Sequence, residues 1–167
     1  MKLFSANLQS LEELYTAELR KALDLEETIT KALPLMMEKA TDTQVKEAFQ
    51  SHLQETETHV EKVKGLLNGE SSETCKVIHA LVTEANDTMK DVNDPAVLDV
   101  ALIGAAQQVE HHAIAVYGTL KAWAKLLGKT TDFTVLESIE RDEKHADALL
   151  SGISDRVNAE APELTNA

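Results

Sequence analysis

The chain has 167 residues, enough for one domain with a sizeable core, and a formal charge of −13 at neutral pH. That acidity, with no basic stripe to release counterions, excludes direct binding to nucleic acid or to an anionic membrane surface, and no apolar run is long enough to span a bilayer. Only six glycines and three prolines punctuate a sequence rich in Ala, Leu, Glu and Lys, and only 4% of residues are aromatic, which predicts an all-α protein with a narrow, mainly aliphatic core.

The first predicted helix is capped by Ser5 or Asn7 and runs to about Leu33, where Pro34 should kink it before a continuation toward Lys39. Its seam reads Phe4, Leu8, Leu11, Tyr15, Glu18, Ala22, Leu25, Ile29 and Ala32, at spacings of three and four, which aims the Glu18 carboxylate at the interior. Asp42 is the expected cap of a second helix ending near Asn68-Gly69, whose stripe of Val45, Ala48, His52, Glu55, His59, Lys62 and Leu66 sets two imidazoles around a carboxylate. A shorter helix, roughly Thr74 to Asp91, follows with Val77, Ile78, Leu81, Val82, Ala85 and Met89 as its apolar face. Asp94 and Pro95 then launch a long helix through Leu127, with Glu110 the lone acid in the stripe Ile103, Ala106, Glu110, Ala113, Tyr117, Leu120, Ala124 and Leu127. After Gly128, the last helix opens at Thr131 or Asp132 and runs to about Ala159. Its seam reads either Phe133, Leu136, Glu140, Glu143, Asp147, Leu150 and Val157 or Ile139, Glu143, Ala146, Leu150 and Ile153, and Glu143 lies on both.

Four seam acids, Glu18, Glu55, Glu110 and Glu143, one per long helix, are the central observation. An ionised carboxylate in an apolar core needs a cation, a hydrogen-bond network or a shifted pKa to persist. Two divalent ions would supply that compensation, and carboxylate with imidazole ligands suits iron first and manganese second. A Glu-x-x-His motif on two of four helices is the usual nitrogen source in such bundles. Here Thr58 and Ala146 stand at those positions, while His59 and Asp147 come one residue later on nearly the same face. His52, one turn before Glu55, is the rival nitrogen donor, and His145 points aside. A lone seam Glu is more often a rim residue whose stem snorkels to water, and a buried His is often only bonded to a neighbouring acid. Tyr117 reads as a core aromatic and Tyr15 as either core or ligand-bonding; His112 is expected to be exposed, as His111 and His112 share no face with Glu110. The lone Cys75 cannot make an internal disulfide and shows no sign of being a nucleophile; with no leader segment recognisable, a cytoplasmic location is expected.

Two antiparallel hairpins with a linking segment long enough to cross the bundle fit the single-crossover topology of ferritin-like folds. The segments Leu14-Tyr15-Thr16-Ala17-Glu18, Ala32-Leu33-Pro34, His52-Leu53-Gln54-Glu55-Thr56, Asp94-Pro95-Ala96-Val97, Ala101-Leu102-Ile103-Gly104-Ala105-Ala106-Gln107, Val109-Glu110-His111, Tyr117-Gly118-Thr119-Leu120 and Asp142-Glu143-Lys144 carry a resemblance to the YciF-like stress-response branch of the ferritin-like superfamily over nearly the whole chain. The resemblance implies a ferritin-like antiparallel four-helix bundle with one additional short helix in the crossover between helices 2 and 3, a dimetal site and a homodimer. Residues 1–160 would form the domain and 161–167 a frayed tail. It also implies Glu18, Glu55, Glu110 and Glu143 as site residues, with Ala113 standing where relatives often carry a further acid. The expected function is a dimetal carboxylate protein acting on peroxide, dioxygen or ferrous iron, as a ferroxidase or peroxidase-like oxidoreductase. Glu18 and Glu110 would be terminal ligands and Glu55 and Glu143 bridging ones. The alternative is a non-enzymatic helical bundle for oligomerisation or partner binding, whose interior acids form a buried polar network without a functional metal.

Overall fold

A computed structural model describes residues 8–161, so the expected caps Ser5 and Asn7, the seam residue Phe4 and the tail beyond 161 lie outside the described residues. Five helices follow in order: α1 (Leu11–Lys39), α2 (Thr43–Leu67), α3 (Lys76–Asp91), α4 (Pro95–Leu126) and α5 (Thr130–Glu160), and the described residues contain no strand. α1 starts at Ser10, whose hydroxyl accepts from the Glu13 amide while the Glu13 carboxylate reaches back to the Ser10 amide, a reciprocal capping box. Asp42 and Asp94 cap α2 and α4, each accepting two amides, and Pro95 sits in the first turn, where its missing N–H costs nothing. α2 ends where Asn68 and Gly69 take positive φ angles of 51° and 94°. Pro34 lies within α1, which continues through it to Lys39.

α1 packs on α2, α4 on α5, α1 on α4 and α2 on α5, closing a four-helix bundle. α3 lies across α1 and α4. Its start is fixed to α1 by the Cys75 amide donating to Asp24 Oδ2 at 2.7 Å, and by Arg20 Nε donating to the Ser71 carbonyl at 2.8 Å. Its later turns meet the other end of α1, where Val82 and Met89 face Leu33 and Met36. The crossover helix therefore travels the length of the bundle and delivers the chain to the α1–α2 turn, where α4 begins. There the buried Asp99 carboxylate accepts from the Thr41 amide at 2.8 Å, the Thr41 hydroxyl at 2.5 Å and the Asp42 amide at 2.9 Å, locking that turn to α4. At the opposite end Tyr15 donates to Asp132 Oδ2 at 2.9 Å, joining α1 to α5, which resolves its role as a core aromatic with a partner away from the interior acids.

The interior of α1 corrects the expected seam. The buried residues of α1 include Tyr15, Leu19, Ala22, Leu25, Glu26, Ile29, Leu33 and Met36, so Tyr15, Ala22, Leu25 and Ile29 of the expected seam are interior, while Leu19 and not Glu18 follows Tyr15 and Glu26 is buried beside Leu25. Glu18 is about one-third exposed and pairs with Lys21 at 2.6 Å. On α2 the stripe likewise runs through Phe49, His52, Thr56, His59 and Val63, leaving Glu55 half-buried beside it. α4 follows its expected stripe from Ile103 to Ala124. α5 buries all of the Ile139, Glu143, Ala146, Leu150 and Ile153 version and also Leu136, Glu140 and Val157 of the other, leaving Phe133 and Asp147 half-buried; Glu140 is held by Lys121 and by Lys144, the latter at 2.6 Å.

Candidate metal centre

Five ionisable side chains converge in the middle of the bundle: Glu26 from α1, His52 and His59 from α2, Glu110 from α4 and Glu143 from α5. All are buried, with Glu26 and Glu143 fully so. They form two triads, Glu26–His59–Glu143 and His52–Glu110–Glu143, in each of which one ligating atom per residue lies within 4.8 Å of the others. Glu143 belongs to both. Its Oε1 lies 3.2 Å from His59 Nδ1 and its Oε2 3.9 Å from His52 Nε2, so the two oxygens face different triads. His52 Nε2 is 3.1 Å from Glu110 Oε1, and His59 Nδ1 is 3.8 Å from Glu26 Oε2.

None of these approaches has hydrogen-bond geometry. Glu26 Oε2, both nitrogens of His52, His59 Nδ1, Glu110 Oε2 and both oxygens of Glu143 are buried polar atoms lacking a hydrogen-bond partner. Native interiors rarely leave such atoms unmet, and here they belong to one contiguous cluster. The remaining atoms are held from outside. Tyr117, fully buried on α4, donates its hydroxyl to Glu26 Oε1, leaving Oε2 turned inward. His59 Nε2 lies 3.4 Å from Asp142 Oδ2, which is itself 3.5 Å from Lys62 Nζ. In its neutral form with the proton on Nε2, His59 would present the Nδ1 lone pair to the centre, the carboxylate–histidine arrangement that orients imidazole ligands.

Charge is balanced by protons. Burial, joined by the charge of Glu143, pushes the Glu26 carboxyl up to about 7, and burial with the same neighbour raises Glu110 well above the usual carboxylate range. For Glu143 burial opposes ionisation, but His59 and His52 outweigh it and its pKa falls. Burial also works against an imidazolium at His59, yet Glu143 and Glu26 hold it up to about 10. Burial lowers His52, a shift the charge of Glu143 does not reverse. An ionised Glu143 beside a protonated His59 thus anchors a cluster whose other carboxyls hold their protons more tightly than usual.

Of the residues singled out in the sequence, the fold brings together His52, His59, Glu110 and Glu143. Glu18 stays outside the cluster, two turns from Glu26, which takes the interior place on α1. Glu55 is half-buried and lines two openings on the α2–α5 seam, one leading to His52 and Glu110, the other to His59 and Asp142. Asp147 is half-buried on α5, 3.5 Å from the exposed His111 and from the Gln107 amide. His112 is half-buried rather than exposed, its Nε2 3.6 Å from Cys75 Sγ. Sequence reasoning missed Glu26, although it lies four residues after Ala22 and three before Ile29, both seam members.

An antiparallel four-helix bundle with one crossover helix, enclosing histidines and carboxylates at mid-height, is a ferritin-like fold. The chain belongs to the family described as a domain of unknown function (DUF892), whose pattern matches residues 10–162. Protein YciF of Escherichia coli (strain K12) is 30% identical over 161 residues, spanning 93% of this chain and 97% of that protein. The crystal structure of that stress protein superposes with a TM-score of 0.87 at 28% identity, covering 92% of this chain and 100% of the other. YcfI from Rhodopseudomonas palustris, described as a candidate structural protein, gives a TM-score of 0.86 at 38% identity, covering 89% and 98%. The fold also recurs in a two-domain protein from Anabaena variabilis with DJ-1/ThiJ/PfpI-like and ferritin-like domains, at a TM-score of 0.61 and 20% identity, covering 96% of this chain and 42% of that one. No helix among the described residues is long and apolar enough to cross a membrane.

Proposed function

We propose that this protein is a dimetal carboxylate protein that holds two divalent ions, iron or manganese, and serves a stress response through peroxide or ferrous-iron handling. The observation that carries the reading is the set of seven buried, unpartnered nitrogen and oxygen atoms that divides into two triads around one shared carboxylate. In this reading Glu26 and His59 would hold one ion and His52 and Glu110 the other, with Glu143 contributing to both groups. Bound iron or manganese would supply one-electron redox chemistry toward a small oxidant such as peroxide or dioxygen.

The chain's own residues do the rest. Tyr117 fixes Glu26 with one oxygen inward, Asp142 keeps the Nδ1 of His59 free, and burial excludes bulk water. Cations entering the cluster would displace the protons of Glu26, Glu110 and His59, so uptake releases protons and weakens as pH falls. Cytoplasmic location and a homodimeric state belong to the same reading, the latter checked by light scattering after size exclusion.

Elemental analysis of protein purified without chelator tests the proposal. About two metals per chain are expected, with Glu143→Gln losing both because it belongs to both groups. Less than about one metal per chain, with no loss of stability on chelation, would instead favour a purely structural bundle whose histidines and acids satisfy one another.

A further inference from the structure

A cation bound for the interior has to cross one face of the bundle, and the faces differ in chemistry. Toward α3 the way in is walled by Ile29, Leu33, Met36, Val82 and Met89, which offer an ion nothing in exchange for its hydration. On the α2–α5 face lies a pocket of about 220 Å³, lined by the exposed Ser51, Gln54 and Thr58, by Glu55 and Lys62, and by Asp142 beside the buried His59. At roughly 30 Å³ per water, that is room for a divalent ion with six water ligands.

Two side chains of this pocket have no part in the buried cluster. Glu55 is half-buried, makes no hydrogen bond or ion pair among the described residues, and also lines the narrower opening beside His145. An acid held partly away from water without a counter-charge is costly, so its place at both openings asks for a cation. Lys62 is the opposite case. Its ammonium lies 3.5 Å from Asp142 Oδ2 and donates to Ser138 Oγ at 3.2 Å, tying α2 to α5 across the seam. A tethered positive charge therefore occupies the carboxylate that an incoming ion would meet after Glu55.

We propose that this pocket is the cation entrance of the protein, with Glu55 capturing a hydrated divalent ion from solvent and Lys62 acting as the gate that the ion displaces from Asp142. The inference rests on the dimetal reading and adds how the site is filled. Glu55 is then a transit residue and not a resident ligand, and Lys62 slows loading instead of supporting it.

Stopped-flow mixing of metal-free protein with Co²⁺ follows loading through the visible absorption that appears as cobalt gains nitrogen and carboxylate ligands. Glu55→Gln should reach the wild-type amplitude at least about fivefold more slowly, and Lys62→Gln should reach it at least about threefold faster. Glu57→Gln removes the same charge from an exposed position of α2 outside the pocket, and should stay within about twofold of the wild-type rate. An unchanged rate or a lost amplitude in Glu55→Gln, a Lys62→Gln protein no faster than wild type, or a Glu57→Gln protein as slow as Glu55→Gln would each overturn the proposal. The wild-type amplitude decides the dimetal reading and the variant rates decide the entrance, so the two failures are told apart; a wild type that takes up no cobalt sinks both.

Discussion

Replacing Glu26 by Gln separates the buried cluster from every other acid on α1. The amide keeps the shape of the side chain and still offers Tyr117 an oxygen, so packing is preserved and only the charge is lost. In the metal-free wild type, Glu26 titrates at about 7 when folded, against an ordinary 4.5. Between those values the folded protein retains a proton that the unfolded chain has released, so stability falls as pH rises through this window, and the cost is complete above about 7. A shift of this size corresponds to about 3 kcal/mol as a ceiling, part of which returns because His59 loses one of its two carboxylate neighbours. His59 adds a decline of its own: raised to about 10, it contributes stability that is complete below 6.5 and disappears as pH climbs through 10. At pH 8 the metal-free Glu26→Gln protein should therefore be more stable than wild type by about 1–3 kcal/mol, or roughly 3–10 °C in Tm, and its melting temperature should depend less on pH between 5 and 8. Differential scanning calorimetry on chelated protein at both pH values gives the comparison, and Glu18→Gln is the control, expected to stay within about 0.5 kcal/mol of wild type. A Glu26→Gln protein that melts at or below the wild-type temperature at pH 8 would refute the account of the buried charge.

Asp142→Asn keeps an acceptor for His59 Nε2 but weakens its hold, and should lower metal affinity by about 10–100-fold while leaving stoichiometry at saturation unchanged, as competitive chelator titration would read out. Asp99→Ala strips three hydrogen bonds from the α1–α2 turn and leaves the Thr41 and Asp42 amides unmet, so urea unfolding should show a loss of about 2–4 kcal/mol, with metal content unaffected because the turn lies at the end of the bundle.

Helix number and order and the caps of α2 and α4 were legible because they rest on local chemistry, whereas α1 opens at Ser10 and not at Ser5 or Asn7, and α5 opens at Thr130 after Lys129 and not at Thr131 or Asp132. Asp42, Asp94 and the Asn68-Gly69 stop each act within a few residues of themselves. On α4 the spacing of Ala106, Glu110, Ala113 and Tyr117 matches the buried face, although Ala105, Val109, Ile114 and Val116 stand beside them. α1 offers two overlapping stripes. Tyr15, Ala22 and Ile29 belong to both, but Leu19 is buried where Glu18 is partly exposed, and Leu25 and Glu26 are both fully buried. With Leu25 and Glu26 both interior, the buried face of α1 is wider than a single seam, and its rotation about the helix axis is set by the partners it packs against, which no single segment records. The same ambiguity on α2 moved Glu55 into the seam in place of Thr56, while His52 and His59, seven residues apart, share a face in either register.

That rotation has an energetic origin. A helix turned to bury Glu18 would bring in Lys21 as well, since the pair is already joined at 2.6 Å, and would place a solvated ion pair in a core with little else to bond it. Burying Glu26 instead delivers a carboxyl that already has a donor in Tyr117 and a counter-charge in His59, and whose remaining negative charge a proton can cancel near neutral pH. On the proposed dimetal reading, the bundle would fold first around protons and then exchange them for cations. A centre built this way needs a cluster whose charge is adjustable in the folded state, and the raised Glu26 and Glu110 beside the lowered Glu143 give it that adjustability at the place where both triads meet.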